Sequence, residues 1–225
     1  MSARVLACLL CLAFAQPGFL AAQPSVEQAK AEPVRELSQL MAAFSRMQGL
    51  EARFVEEKRL GMLARPLSSE GRLYFARPGL LLRRVEQPQA SEVIITPQEL
   101  RVKDANGEQR IDLASRPDVR PFVESLTWLL AGDGKALAGV YKLEFTPPQA
   151  AGPWQLTLTP KAEPLAHLIA HIRIVGQGLA VSEIQVREKG GDETVTRITS
   201  ANPARKFTAS ELSSLFGVKL KPSRK

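Results

Sequence analysis

Between Glu32 and Gln48 the apolar residues Leu37, Leu40, Met41, Phe44 and Met47 recur at intervals of three and four, which places them on one face of a helix. Pro33 suits its first turn and Gly49 its end. The rhythm then changes to short alternating segments at 51–60, 70–76, 80–86, 92–96, 99–105 and 108–113, and each reads as a strand. Pro78-Gly79 turns the second into the third, and Asn106-Gly107 reads as a tight hairpin turn between the last two. Residues 61–69 read as a loop. Helical spacing returns over Ser115–Asp133, with Phe122, Val123, Leu126, Leu129 and Leu130 on a broad apolar face, and a short turn follows around Lys135–Ala138. Strands resume at 141–146, 154–159, 168–175, 179–188 and 193–200, with Gly190-Gly191 closing one hairpin. Thr208 and Glu211 have the spacing of a capping box, ahead of a short helix that runs through Phe216 and stops at Gly217.

So many antiparallel strands with so few helices between them argue for a sheet that curls on itself. The helices must bury their apolar faces, and the concave side of the sheet offers the place. The expected fold is α+β, mainly β: a curved antiparallel sheet forming an incomplete, half-open barrel, with helices lidding its concave apolar face. No internal repeat or interdomain linker interrupts the chain.

The ends add a compartment. Residues 1–22 carry Arg4, an apolar run from Val5 to Ala15, Pro17-Gly18 and the small pair Ala21-Ala22, which is the pattern of a secretory signal peptide. The run falls short of the roughly 20 apolar residues a membrane-spanning helix needs. Cleavage is expected after Ala22, with Ala13-Phe14-Ala15 as a second candidate site. Both cysteines, Cys8 and Cys11, lie in this segment. Leu6-Ala7 precedes Cys8, but lipidation there is disfavoured, because an apolar core of two residues before that cysteine is too short for an export signal. The expected organisation is a signal peptide over 1–22, one domain over 23–217 and a basic tail over 218–225. A formal charge of +7 suits an anionic lipid surface or an acidic partner, and equally suits simple solubility. Export argues against nucleic acid as that partner.

Catalytic chemistry finds no foothold. The chain has no nucleophile-elbow serine motif, no phosphate-binding glycine loop and no zinc-protease helix motif. His167 and His171 are the two histidines. Their surroundings read as a strand, on which a four-residue spacing separates them by about 13 Å. The acid pairs Glu56-Glu57 and Asp192-Glu193 read as solvated strand or turn positions. The expectation is a binding protein with no enzymatic activity, metal or cofactor. Pattern alone leaves open whether the 44% of hydrophobic residues fill a core or wall a cavity.

The most telling stretch is G-R-L-Y-F-A-R-P-G-L-L-L-R-R-V-E-Q-P, Gly71 to Pro88, which sets Arg77 at the tip of an otherwise apolar hairpin. Upstream stands A-R-F-V-E-E-K from Ala52; downstream come Gln87, Pro88 and Ser91 and then L-T-P-K from Leu158. In that order and spacing the segments resemble the LolA family of periplasmic outer-membrane lipoprotein carriers, over about Leu37 to Ile174. The resemblance implies a half-barrel cavity for the acyl chains of lipoproteins or lipids, an inner-membrane exporter as donor, an outer-membrane acceptor, and a monomeric periplasmic carrier. It assigns Arg77 the part of the family's arginine, which holds the empty lid shut by bonding carbonyls at helix ends and lets go when cargo enters. The cavity lining is expected from Leu73, Phe75, Leu80, Leu81, Leu82, Ile94, Leu156, Leu158 and Ile172. Leu81 and the Arg83-Arg84 pair stand where the family often carries aromatics, and its aromatic F-x-F-x-P-P-x-G ending is absent. These departures point to a divergent branch whose cargo is a lipid or polyene product instead of a lipoprotein. The alternatives are a lipid-responsive regulatory module of the same fold acting on a membrane partner and, less favoured, a secreted hydrolase using a carboxylate.

Overall fold

The computed structural model describes residues 34–117, 120–149 and 152–218. The expected signal peptide, Pro33 and the basic tail beyond residue 218 lie outside these residues, as does the Phe122 side chain. The chain runs as α1 (Leu37–Arg46), β1 (Gly49–Arg59), β2 (Leu67–Ala76), β3 (Leu80–Gln87), β4 (Ser91–Ile95), β5 (Glu99–Asp104), β6 (Gly107–Asp112), α2 (Arg120–Ala131), α3 (Gly134–Val140), β7 (Tyr141–Thr146), β8 (Trp154–Pro160), α4 (Leu165–Leu168), β9 (Ile169–Gln177), β10 (Ala180–Glu188), β11 (Glu193–Asn202) and α5 (Ala209–Phe216).

The strands form one 11-stranded sheet in the order β6-β5-β4-β3-β2-β1-β11-β10-β9-β8-β7. Each half is a meander of neighbours in sequence, and the two halves join where β1 pairs antiparallel with β11. The sheet is open, with β6 and β7 at its edges. That is the mainly-β α+β fold expected from the alternation.

One face of the sheet packs against α1 and α2. Leu40, Met41 and Phe44 of α1 and Val123, Leu129 and Leu130 of α2 are buried there against Leu73, Phe75, Leu81, Trp154 and Leu156. Phe44 meets Trp154 edge to face at 6.4 Å. The two helices come together at Gly132, whose φ of +73° ends α2. A Cβ at that position would lie 2.2 Å from the Met41 carbonyl oxygen, so only glycine lets the chain leave α2 this close to α1.

The opposite face is covered too. Thr208 accepts from the Glu211 amide while the Glu211 carboxylate accepts from the Thr208 amide, so the capping box read from sequence starts α5. Gly217, at φ +64°, stops it. Phe216 is fully buried with Tyr74, Ala76, Leu80, Leu82 and Ile94. The C-terminal helix therefore backs the sheet and does not join the lid. This explains the unbroken Leu80-Leu81-Leu82 and Val93-Ile94-Ile95 runs: strands buried on both faces lose the polar half of their alternation.

Several boundaries differ from the pattern's prediction. The first helix spans ten residues where the periodicity suggested more. A four-residue helix precedes β9 and holds His167, while His171 lies on the strand. The β5–β6 turn is Ala105-Asn106, since Asp104 pairs with Gly107, and Asp104 Oδ1 accepts from the Asn106 amide at 2.7 Å. An aspartate side chain that mimics a backbone turn is hard to distinguish in sequence from an Asn-Gly turn one residue later.

Candidate functional site

Between the α1–α2 layer and the sheet lies an apolar cavity of about 190 Å³. Its floor draws on β1 (Phe54), β2 (Leu73), β3 (Leu81), β4 (Val93, Ile95) and, across the β1–β11 seam, β8 to β11, including Leu158, Ile172, Ile184 and Ile198. Val123, Leu126 and Leu129 of α2 form the roof. A smaller void of about 30 Å³ lies under α1 among Phe44, Met47, Leu50 and Leu179. Leu126 and Leu129 of α2 border both spaces, as do Leu73, Ile184 and Ile198 of the sheet, so the two voids adjoin.

The register decides which of the expected lining residues reach this space. Ala52, Leu73 and Arg83 pair across β1, β2 and β3, as do Phe75 and Leu81, and these side chains point towards the helices. Leu73, Leu81, Leu158 and Ile172 stand on the cavity wall. Phe75 and Leu156 lie in the same core, packed away from the cavity. Leu80, Leu82 and Ile94 are on the other face, beneath α5. Their assignment to the lining is corrected by the period of two: neighbours of an inward Leu81 and Ile95 must point outward.

Arg77 sits in the β2–β3 turn and reaches back to the lid. Its Nε donates to the Met47 carbonyl at 2.7 Å, and its Nη2 donates to Ser45 at 2.6 Å, Phe44 at 3.2 Å and Ala131 at 2.9 Å. One guanidinium thus gathers the C-terminal carbonyls of both lid helices. Carbonyls at a helix C-terminus are left open within the helix and carry the negative end of its dipole, which favours a cation there; that of Phe44 also accepts from the Met47 amide at 3.0 Å. The planar fork of donors fits several carbonyls at once, as a lysine would not. The arginine backbone is anchored as well, its amide donating to Gln48 at 3.2 Å.

Some wall residues were not anticipated. Ile184, Val186 and Ile198 belong to segments read correctly as strands, and pattern gave no reason to prefer their faces. Glu56, Arg83, Ser125, Thr194 and Thr196 add a polar margin. Ser125 is occupied, with the Pro121 carbonyl at 2.6 Å and the Tyr141 hydroxyl at 2.7 Å. Burial raises the Tyr141 pKa above its ordinary 10.0, with the Ser125 bond opposing the shift. Among the described residues no group of three or more His, Cys, Asp or Glu could hold a metal ion. No described helix is long and apolar enough to cross a membrane.

A family described as outer membrane lipoprotein carrier protein LolA-like matches residues 29–216. Among solved structures, a LolA superfamily protein from Nitrosomonas europaea is 9% identical, with a TM-score of 0.43 over 77% of this chain and 96% of that one. MucB, in its complex with MucA from Pseudomonas aeruginosa, is 15% identical, with a TM-score of 0.43 over 74% of this chain and 56% of that one. The Mycobacterium tuberculosis lipoprotein LppX is 11% identical, with a TM-score of 0.37 over 71% of this chain and 92% of that one. No curated protein matches the chain.

Proposed function

This chain belongs to the LolA-like family of outer-membrane lipoprotein carrier proteins, and from that premise we propose that it is a periplasmic carrier of acyl chains, sheltering the apolar part of a lipid or lipoprotein between the inner and outer membranes. The observation that carries the reading is an apolar cavity roofed by two helices whose terminal carbonyls converge on Arg77.

The need for such a protein is energetic. Exposing a methylene to water costs roughly 0.8 kcal/mol, so a 16-carbon chain costs about 12 kcal/mol. Burial among leucine, isoleucine and valine removes most of that cost without chemistry, so the carrier needs no catalytic group. The cavity volume bears on how cargo would enter. A space of about 150 Å³ accepts a benzene-sized guest, whereas ligand pockets usually span roughly 300–1,000 Å³. At about 190 Å³ the present cavity is smaller than a full acyl chain needs. Entry of a full chain requires α2 to withdraw, joining the two voids, and withdrawal requires Arg77 to release Ala131. Export through removal of residues 1–22, an inner-membrane exporter as donor and an outer-membrane acceptor complete the proposal. The carrier acts as a monomer.

The test is native mass spectrometry, with lipid extraction, of the mature protein from periplasm beside Arg77→Leu. Bound acyl species whose occupancy differs between the two are expected. Clean apo masses in both, with no uptake of added fatty acid, would remove the carrier reading and favour the regulatory module.

A further inference from the structure

The cavity is apolar except along one margin. Glu56 and Lys58 of β1 pair with Thr196 and Thr194 of β11, which sets all four side chains on the helix-facing side of the sheet. Arg83 reaches Glu56 from β3 at 2.7 Å, and Thr196 Oγ1 donates to the other Glu56 oxygen at 2.7 Å. The Arg83 guanidinium also lies 4.7 Å from the centroid of the Phe54 ring. Lys58 pairs with Glu188 at 3.5 Å. These groups are deep: Glu56 is 8% exposed, Lys58 6% and Thr194 2%. Glu56, Arg83, Thr194 and Thr196 all border the cavity, and the Thr194 hydroxyl has no hydrogen-bond partner.

Sheltering a hydrocarbon chain uses none of them. A buried ion pair is commonly no more stable than well-packed apolar residues in its place, and a buried hydroxyl without a partner is a net cost. A wall built only to hold an acyl chain would do better with leucine at each position. We propose that this margin is a headgroup site, so that the cavity takes an amphiphile: its chain lies along Ile172, Ile184 and Ile198, and its head bonds Thr194 Oγ1 and the Glu56 carboxylate. The inference rests on the carrier reading and narrows it.

The electrostatics select the class of head. Arg83 is paired with Glu56 and Lys58 with Glu188. An anionic head would bring a second negative charge beside Glu56 to share one arginine, and a cationic head a second positive charge beside Arg83. Either leaves one buried charge in excess of its counter-charge. A neutral head bearing hydroxyls breaks neither pair, since it donates to Glu56 and exchanges a bond of either polarity with Thr194. The ligand class is therefore a neutral, hydroxyl-bearing lipid of the monoacylglycerol kind.

The experiment uses the mature chain loaded with N-phenyl-1-naphthylamine as an apolar reporter, displaced by monooleoylglycerol, methyl oleate or oleate. Monooleoylglycerol is expected to displace it best. Thr194→Val, nearly the same shape, is expected to weaken monooleoylglycerol about five- to tenfold, the worth of one hydrogen bond to a buried group, and to weaken methyl oleate, which has no hydroxyl, less. Thr194→Ser keeps the hydroxyl and restores the preference, which separates loss of the bond from disturbance of the fold. Equal affinity for the three lipids, a preference for oleate, or indifference to Thr194→Val overturns the headgroup site while the reporter's binding still supports a carrier. A reporter that never enters removes the carrier reading and the headgroup site with it.

Discussion

The two faces of the sheet are covered by helices in the same chemical manner and differ in what lies beneath the helix. On the α1–α2 side, Arg77 gathers carbonyls at two helix ends; on the α5 side, Arg101 donates to the carbonyl of Phe216, the last residue of its helix. Each arginine satisfies groups that a helix leaves open and meets the negative end of its dipole. Beneath α5, however, Phe216, Tyr74, Leu80 and Leu82 are all buried in contact, with Phe207 stacking edge to face on both aromatics at 6.4 Å. Beneath α2 a cavity remains. A helix held by packing and an arginine is a fixed part of the fold. One held over a void gives up fewer contacts when it leaves, so its arginine contributes a larger share of what keeps it closed.

Phe216→Ala should break that comparison most severely. Removing a fully buried phenylalanine costs about 3–5 kcal/mol, and denaturant unfolding should show a loss in that range. The α1–α2 face, which Phe216 does not touch, should keep its reporter binding while the remaining protein is folded. Loss of binding at equal native fraction would mean that the two faces are coupled through the sheet.

A pair of enlargements sharpens it. Leu81 and Leu82 are neighbours on β3 and both are buried, yet Leu81 borders the cavity and Leu82 does not. Leu82→Trp should overpack the filled face and cost about 1–3 kcal/mol. Leu81→Trp has the void to expand into and should cost less than about 1 kcal/mol, while excluding acyl chains. Urea midpoints and reporter uptake measured on both variants check this; equal destabilisation would show that the cavity cannot accept a side chain.

The smallest effect concerns acid. Hydrogen bonding from the Thr208 amide, then from Arg205 and the Thr208 hydroxyl, holds the Glu211 carboxyl below its ordinary 4.5. Because the folded value is the depressed one, its support of α5 is present above the unfolded value near 4.5 and is lost as pH falls through the lowered folded value. Amide exchange in α5 should therefore accelerate in acid relative to α2, and Glu211→Gln should reduce that difference. An unchanged ratio of rates would exclude Glu211 as the cause.

Much of this was legible in the sequence because its signals are local. Alternation marked the strands, the three-and-four spacing marked α1 and α2, and Thr208, Glu211 and Gly217 bracketed α5. Arg77 was legible as an arginine beside Pro78-Gly79 at a hairpin tip. The lining was only partly so. Leu80, Leu81 and Leu82 carry the same side chain, and nothing local says that the middle one faces the cavity. Glu56 read as a solvated acid beside Glu57; it is buried because Arg83 and Thr196 reach it from strands distant in sequence.

What the sequence determined by itself was the set of elements and the chemistry at their ends, since hydrophobic period, caps and turns act over a few residues. Register, the face each side chain takes and the helix that covers it belong to the tertiary structure. One residue of slip between β2 and β3 would exchange Leu81 for Leu80 or Leu82 without altering the composition of the strand. The cavity is likewise decided by how closely α1 and α2 approach at Gly132 and how far they stand from the sheet. A void is a property of distances between surfaces, and no single segment of chain encodes it.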